Sequence, residues 1–111
     1  MKLEFGTIVL LKFPFSDLKK SKKRPALVIL DAGDGDILVA RITSKEYHSH
    51  FDVVLDNWET YNLKLPSVVR LHKLATLNVG MVDSILGKLD KKDFNKVRSS
   101  QSPFDLLRVD G

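Results

Sequence analysis

The chain has 111 residues, 43% of them hydrophobic and 29% charged, which is the composition of an ordinary globular protein and predicts one domain over residues 1–111. Its 18 Lys and Arg against 14 Asp and Glu give a formal net charge of +4, an excess that favours a polyanionic partner without requiring one. The lack of cysteine excludes a disulfide framework, a thiolate nucleophile and a Cys-ligated metal. Since Lys12 interrupts the N-terminal apolar run, neither a signal peptide nor a membrane span is predicted, and a cytoplasmic location is expected.

Six β-strands are predicted from runs of β-branched and aliphatic residues that end at turn-forming residues. They are expected at residues 6–13, 24–30, 37–43, 51–55, 67–77 and 84–89. The segment "DAGDGD" (31–36) should close a hairpin between the second and third strands. The fifth strand should be bulged near Lys73–Leu74, where the alternation slips, and one helical turn is expected near Thr60–Leu63.

One helix is predicted after the strands, with Asp90 as its N-cap and Asp93 as the second member of a capping pair. Its apolar stripe should consist of Leu89, Phe94 and Val97. The helix should end at Ser102–Pro103. Strands followed by one helix predict a mainly β fold, a small twisted sheet or barrel with the C-terminal helix packed on it.

The loop after the first strand concentrates positive charge. In "FPFSDLKKSKKRPALVIL" (13–30), the cations crowd against the start of a buried strand, and residues 12–24 hold six of the 18 cations. Arg24 is either a gatekeeper charge that suppresses edge aggregation or a phosphate contact, because guanidinium groups match phosphate oxygens bidentately. Under the second interpretation, the neighbouring lysines add a field that attracts nucleic acid.

The third strand, "ILVARIT", is predicted to divide its side chains between two faces. The core face should hold Leu38, Ala40 and Ile42. The opposite face should hold Val39, Arg41 and Thr43. Arg41 and Thr43 then point outward together, with Ser44 in the following turn, and the alternative is an ordinary polar strand end.

The fifth strand carries Arg70, His72 and Lys73, which either form a solvated face or extend the positive surface. Trp58 and Tyr61 could stack on bases or lie in an interface, but packing in the fold is the favoured interpretation.

The histidines give a weak indication of a site. His48 and His50 have the spacing of a metal-binding or acid–base pair on a strand, but their segment resembles a connecting loop, which favours solvated side chains. No phosphate-binding P-loop, G-x-S-x-G nucleophile elbow or H-E-x-x-H metalloprotease motif is present in the sequence.

Three blocks of the sequence together resemble a known family. "GTIVLLKFPFSDLKKSKKRPALVIL", "ILVARITSK" and "PSVVRLHKLATLN" follow the order and spacing of the signature blocks of PemK/MazF-like toxins of type II toxin–antitoxin modules. The resemblance runs from about Gly6 to Leu89. The loop "DLKKSKK" lacks the glutamate or glutamine that members often carry before the arginine, so the chain looks like a lysine-rich branch of the family.

This resemblance implies a small SH3-like barrel that forms a homodimer and inhibits growth as a metal-independent, cofactor-free endoribonuclease. The implied substrate is single-stranded RNA, cut at a short sequence by attack of its 2′-hydroxyl to leave a 2′,3′-cyclic phosphate and a 5′-hydroxyl. A cognate antitoxin is expected to bind across the RNA groove, and operator DNA is expected to be contacted only through that antitoxin. Sequence readout is expected in the loops 45–50 and 57–65.

The resemblance also assigns site residues by position. Arg24 corresponds to the family's catalytic arginine, suited to charge stabilisation, and Thr43 to its catalytic threonine, suited to donating a hydroxyl hydrogen bond. The RNA-binding residues expected around them are Lys19, Lys20, Ser21, Lys22, Lys23, Arg41, Ser44, Arg70 and Lys73. No metal ligand is expected.

Two other functions stay open at this point. CcdB-type gyrase poisons use the same fold, but their inhibitory contacts come from the C-terminus, here "SPFDLLRVDG" (102–111), and the retained Arg24–Thr43 pair argues against that role. A non-catalytic barrel that binds RNA or a partner protein is the other alternative.

Overall fold

The computed structural model describes residues 2–13 and 22–100. Its regular elements are β1 (Thr7–Phe13), β2 (Lys22–Asp31), β3 (Asp36–Thr43), β4 (Asp52–Val54), β5 (Val68–Asn78), β6 (Val82–Lys88) and α1 (Lys91–Ser99), with 3-10 helices at Trp58–Tyr61 and Val79–Met81. Each predicted strand is therefore confirmed, and the predicted helical turn is a 3-10 helix that begins two residues earlier than expected. Within the described ranges, no helix is long and apolar enough to span a bilayer.

The six strands form one antiparallel sheet in the order β4-β5-β3-β2-β1-β6. The predicted hairpin between β2 and β3 is present, with Gly33 and Gly35 at positive φ in the turn, where an L side chain would be strained. The predicted bulge in β5 is also present. Ala40 of β3 faces Leu74, whereas the next residue, Arg41, faces Arg70, so that residues 71–73 are additional on the β5 side.

A main core lies on one face of the sheet. Its buried residues are Ile8, Leu27, Ile29, Ala40, Ile42, Val53, Leu55, Tyr61, Val69, Leu71, Leu89 and Val97. The 3-10 helix at Trp58–Tyr61 and α1 cover this face, with Trp58 and Phe94 packed against the cluster. The prediction that Trp58 and Tyr61 serve packing is thus confirmed.

A smaller core lies on the opposite face. It consists of Val9, Leu11, Ala26, Val28, Ile37 and Val39. The predicted alternation along β3 is confirmed, because Ala40 and Ile42 lie in the main core while Arg41 is exposed. The expectation of a single apolar face is wrong for Val39, which is only 3% exposed because its cross-strand neighbours on that face are also apolar.

The start of α1 follows the prediction for Asp90 but not for Asp93. The carboxylate of Asp90 accepts a hydrogen bond from the backbone N–H of Asp93 at 2.8 Å, as an N-cap should. The Asp93 carboxylate does not return to the cap. It is fully buried and accepts hydrogen bonds from the backbone N–H groups of Asp56 and Asn57 and from the hydroxyl of Tyr61. Asp93 therefore joins α1 to the segment before β5, and the predicted helix end at 102–103 lies outside the described residues.

Candidate nucleic-acid interface

The two predicted catalytic residues lie at the same end of the β2–β3 hairpin. The ladder pairs Ala26 with Arg41. Arg24 lies two residues before Ala26, and Thr43 lies two residues after Arg41. The period of two along a strand therefore gives Arg24 and Thr43 the same face as Ala26 and Arg41. This face is opposite to the one covered by α1. The register thus brings Arg24, Arg41 and Thr43 to one edge of the smaller core.

A cavity of about 270 Å³ opens beside this edge. Three of the predicted site residues line it, namely Arg24, Arg41 and Lys73. The remaining lining residues are Leu11, Pro25, Ala26, Val39, Leu74, Ala75 and Leu77. An apolar floor with cations at its rim can receive a flat, uncharged ring while the cations contact attached phosphates.

No carboxylate in residues 2–13 or 22–100 neutralises the rim cations. Among the described residues, Arg24, Arg41 and Lys73 have no carboxylate within ion-pair distance. Lys23 differs, since its Nζ lies 3.3 Å from a carboxylate oxygen of Asp83 on β6. Unpaired cations grouped at one cavity are the electrostatic feature expected of a site for an anionic ligand.

Of the remaining loop residues predicted to bind RNA, only Lys22 is among the described residues. Lys22 begins β2 and is exposed. Lys19, Lys20 and Ser21 lie outside the described residues, so their predicted phosphate contacts stay predictions.

Thr43 is held by the turn that follows β3. Its Oγ1 accepts a hydrogen bond from the backbone N–H of Lys45 at 3.2 Å, which orients the side chain at the end of the strand. Because Oγ1 acts as an acceptor in this bond, its own hydrogen remains available to donate to a ligand. Ser44 follows in the turn and is exposed, as predicted.

Arg70 lies on the same face but is not part of an open positive surface, and this corrects the expectation that it extends that surface together with Lys73. Its Nε donates to Oδ1 of Asp52 at 2.8 Å, and the two side chains are only 12% and 1% exposed. The guanidinium carbon lies 3.5 Å from the centre of the Tyr47 ring. Lys73, by contrast, is exposed at the cavity rim. A direct phosphate contact by Arg70 stays a prediction.

Asp52 is the centre of this cluster. Its Oδ2 accepts hydrogen bonds from the backbone N–H and the hydroxyl of Ser49, at 2.9 and 2.7 Å. Burial alone would raise the pKa of Asp52, but the hydrogen bonds from Arg70 and Ser49 outweigh it and hold the pKa below its ordinary value. The carboxylate therefore stays charged near neutral pH and keeps Arg70 in place.

The histidines separate into two environments. His48 and His50 are exposed in the loop before β4, as predicted. His72 is half-buried, and its Nε2 lies 3.3 Å from Nη2 of Arg70. Because a guanidinium only donates, a hydrogen bond between the two side chains would require Nε2 of His72 to be the acceptor. In the described part of the chain, no group of three or more His, Cys, Asp or Glu side chains is arranged to hold a metal ion.

Sequence reasoning missed Tyr47 and Asp52 as members of this face. Both lie beside Arg70 only because β4 pairs with β5, which sets Asp52 opposite Arg70. The sequence segments "FDVV" and "SVVR" each predict a strand, but neither predicts which strands are neighbours in the sheet.

Solved structures match this fold over most of the chain. A MazE–MazF structure from Deinococcus radiodurans matches with a TM-score of 0.70 at 21% identity, covering 88% of this chain and 91% of that chain. The Mycobacterium tuberculosis toxin MazF-mt6 matches with a TM-score of 0.67 at 22% identity, covering 83% and 88%. An endoribonuclease in complex with its cognate antitoxin from a mycobacterial species matches with a TM-score of 0.69 at 15% identity, covering 86% and 87%. At these identities the likeness establishes a MazF-like fold.

The sequence itself places the chain in a family. The family model of the PemK-like, MazF-like toxins of type II toxin–antitoxin systems matches residues 4–100. The chain therefore belongs to this family. No curated protein matches the sequence.

Proposed function

We propose that the chain is an endoribonuclease toxin that cleaves single-stranded RNA at the face carrying Arg24 and Thr43. The observation that carries the proposal is the grouping of Arg24, Arg41 and Lys73 around one apolar cavity in a member of this toxin family. None of these cations has an anionic partner among the described residues, which suits a site whose ligand supplies the negative charge. Two of the similar structures are named as endoribonuclease or MazF complexes with an antitoxin, which supports the same class of function.

The chemistry follows from what RNA brings to the site. In-line attack of the 2′-oxygen on phosphorus forms one P–O bond and breaks the bond to the 5′-oxygen, leaving a 2′,3′-cyclic phosphate and a 5′-hydroxyl. The 2′-hydroxyl loses a proton and the departing 5′-oxygen gains one. Because the substrate carries its own nucleophile, the protein's contribution is orientation and stabilisation of the charge that develops on the phosphate oxygens.

Arg24 and Thr43 have complementary roles in this reaction. A guanidinium group is a poor proton carrier, so Arg24 stabilises charge and does not carry the proton. The hydroxyl of Thr43 donates a hydrogen bond to a phosphate oxygen. The proposed phosphate contacts along the bound strand come from the remaining predicted cations and hydroxyls, namely Lys22, Lys23, Arg41, Ser44 and Lys73, together with Lys19, Lys20 and Ser21, which lie outside the described residues.

The proposed partners follow from the family. We expect a homodimer in the cytoplasm and a cognate antitoxin that covers the cavity beside Arg24 and thereby blocks RNA. Operator DNA would be reached only through that antitoxin. The acidic or apolar side chains of such a partner would meet the cations and the floor of the cavity, respectively.

The test is cleavage of a long single-stranded RNA in EDTA by matched variants. Arg24→Ala and Thr43→Ala should each lower the cleavage rate by about 100-fold or more, since each removes one group that stabilises developing charge. Arg98→Ala and Ser99→Ala are the controls, because these exposed residues lie on α1, which covers the opposite face of the sheet from the cavity. Both controls should cleave like the wild type.

The alternative functions give different results in the same experiment. Binding without cleavage by folded wild-type protein would favour a non-catalytic RNA-binding barrel. Inhibition of DNA gyrase without cleavage of RNA would favour a gyrase poison. Cleavage that survives Arg24→Ala would mean that the cleavage site lies elsewhere.

A further inference from the structure

The loop between β3 and β4 is held by hydrogen bonds at its β4 end, beside the proposed cleavage site. It leaves β3 directly after Thr43 and enters β4 at Asp52. At its end, the Asp52 carboxylate binds the backbone and the hydroxyl of Ser49, and the backbone N–H of Leu71 donates to the carbonyl of Phe51 at 2.9 Å. The loop is therefore joined to both β4 and β5.

Arg70 fixes one aromatic side chain of this loop. Its guanidinium is held in one orientation by Asp52 on Nε and by His72 near Nη2, and the Tyr47 ring lies on it with 3.5 Å between the guanidinium carbon and the ring centre. A planar guanidinium that is already hydrogen-bonded gives a stacked aromatic ring a defined plane. Tyr47 is only half-buried, so part of its ring remains accessible to solvent.

The position of this stacked pair relates it to the cleavage site. Arg70 is the direct cross-strand partner of Arg41, and Thr43 lies two residues further along β3 on the same face. Tyr47 therefore lies one strand away from the line of Arg24, Arg41 and Thr43. The tyrosine hydroxyl has no hydrogen-bond partner in the described part of the chain, and its ring makes the contact that holds it.

We propose that Tyr47 is a stacking platform for an unpaired base of the RNA next to the cleaved phosphodiester, and that Arg70 is the positioning residue that holds the Tyr47 ring in one orientation. This inference rests on the proposed function and gives the 44–51 loop a defined part in substrate recognition. Single-stranded nucleic acids are recognised by unstacked bases that lie on aromatic side chains, while cations contact the backbone. The structure provides both elements on one face, with the platform on the β5 side of the rim cations.

The two residues have distinguishable substitutions. Tyr47→Phe keeps the ring and its contact with Arg70, whereas Tyr47→Leu removes the aromatic surface. Arg70→Lys keeps the positive charge but removes the planar group beneath the ring. Loss of one stacked base should weaken RNA binding by about tenfold or more, so we expect Tyr47→Leu and Arg70→Lys to raise KM by at least that factor.

The experiment combines cleavage with binding of an RNA that cannot be cut. KM and kcat are measured for each variant, and binding is measured with a short single-stranded 2′-O-methyl RNA that carries 2-aminopurine, whose fluorescence is quenched by stacking. The platform predicts a raised KM, an unchanged kcat and lost quenching for Tyr47→Leu, with wild-type behaviour for Tyr47→Phe. Arg70→Lys should resemble Tyr47→Leu, and thermal unfolding of each variant shows whether its fold is retained.

The possible results separate this inference from the proposed function. Cleavage that depends on Arg24, together with wild-type KM and quenching in Tyr47→Leu, would overturn the platform and leave the ribonuclease proposal standing. Quenching that depends on Tyr47 in a protein that cleaves no RNA would support the platform and overturn the ribonuclease proposal. A loss of kcat alone in Tyr47→Leu would also overturn the platform, because a residue whose part is to stack on a base should act on KM.

Discussion

Replacing Tyr61 with phenylalanine should lower the free energy of unfolding by about 2 kcal/mol while leaving the RNA-facing side intact. The Tyr61 hydroxyl donates to Oδ2 of Asp93 at 2.7 Å and accepts from the backbone N–H of Asp90 at 3.0 Å. Both groups belong to the start of α1 or its cap. The substitution removes only one oxygen atom, so it leaves the shape of the main core almost unchanged.

The magnitude follows from what the missing hydroxyl leaves behind. Asp93 is fully buried and would lose one of three donors, the others being the backbone N–H groups of Asp56 and Asn57. A hydrogen bond to a charged group contributes roughly 1.5–3 kcal/mol, and the lost acceptor of the Asp90 N–H adds to that cost. For a chain of this size, about 2 kcal/mol corresponds to a fall in Tm of roughly 10 °C.

The assay is equilibrium urea unfolding with Tyr47→Phe as the matched control. These are the only two tyrosines of the chain. Tyr47→Phe removes a hydroxyl that has no hydrogen-bond partner among the described residues and should change stability by less than about 0.5 kcal/mol. Equal, small changes in the free energy of unfolding for the two substitutions would refute the stabilising role assigned to the hydrogen bond between Tyr61 and Asp93.

Three further predictions concern pH, salt and a surface ion pair. Burial, together with the hydrogen bond to Asp93, raises the pKa of Tyr61 far above its ordinary value, so the stability that Tyr61 contributes is complete below about pH 10 and is lost as the pH rises further. Above that pH the wild type should therefore lose stability more steeply than Tyr61→Phe in urea titrations. Parallel curves for the two proteins would contradict this. Lys73→Ala should reduce the steepness with which the logarithm of the binding constant for single-stranded RNA falls with the logarithm of salt concentration, by about 0.7, whereas Lys91→Ala on α1 should leave it unchanged. Equal slopes in filter-binding titrations of both variants would argue against a phosphate contact at the cavity rim. Lys23→Ala should cost at most about 1 kcal/mol in urea unfolding, because its pairing with Asp83 is substantially exposed, and a larger loss would show that the pair is more than a surface contact.

Local pattern was sufficient for the elements that lie close together along the chain. The β2–β3 hairpin could be predicted from two apolar runs and the "DAGDGD" turn, and it alone brings Arg24 and Thr43 to one edge. The N-cap at Asp90 could be predicted for the same reason, since it depends on a residue three positions away.

Long-range contacts were not accessible in this way. Asp93 resembles a capping residue in the sequence, but its carboxylate is used by backbone groups 36 and 37 residues earlier, which only the packing of α1 brings near. Arg70 resembles a solvated cation, but the pairing of β4 with β5 sets Asp52 against it. In both cases a charged residue that looks solvent-exposed in the sequence is bound by distant groups of the fold, and local periodicity does not identify those groups.

The most direct test of the account is cleavage of an RNA in which the nucleotide at the cleaved position carries 2′-deoxyribose. The cleavage motif is first mapped on a long single-stranded RNA in EDTA. A short RNA with that motif and its singly 2′-deoxy counterpart are then compared. The account predicts that the unmodified RNA is cut to a 2′,3′-cyclic phosphate and a 5′-hydroxyl, and that the 2′-deoxy RNA binds but is not cut at that position. Cleavage of the 2′-deoxy RNA at the same position and rate would contradict it.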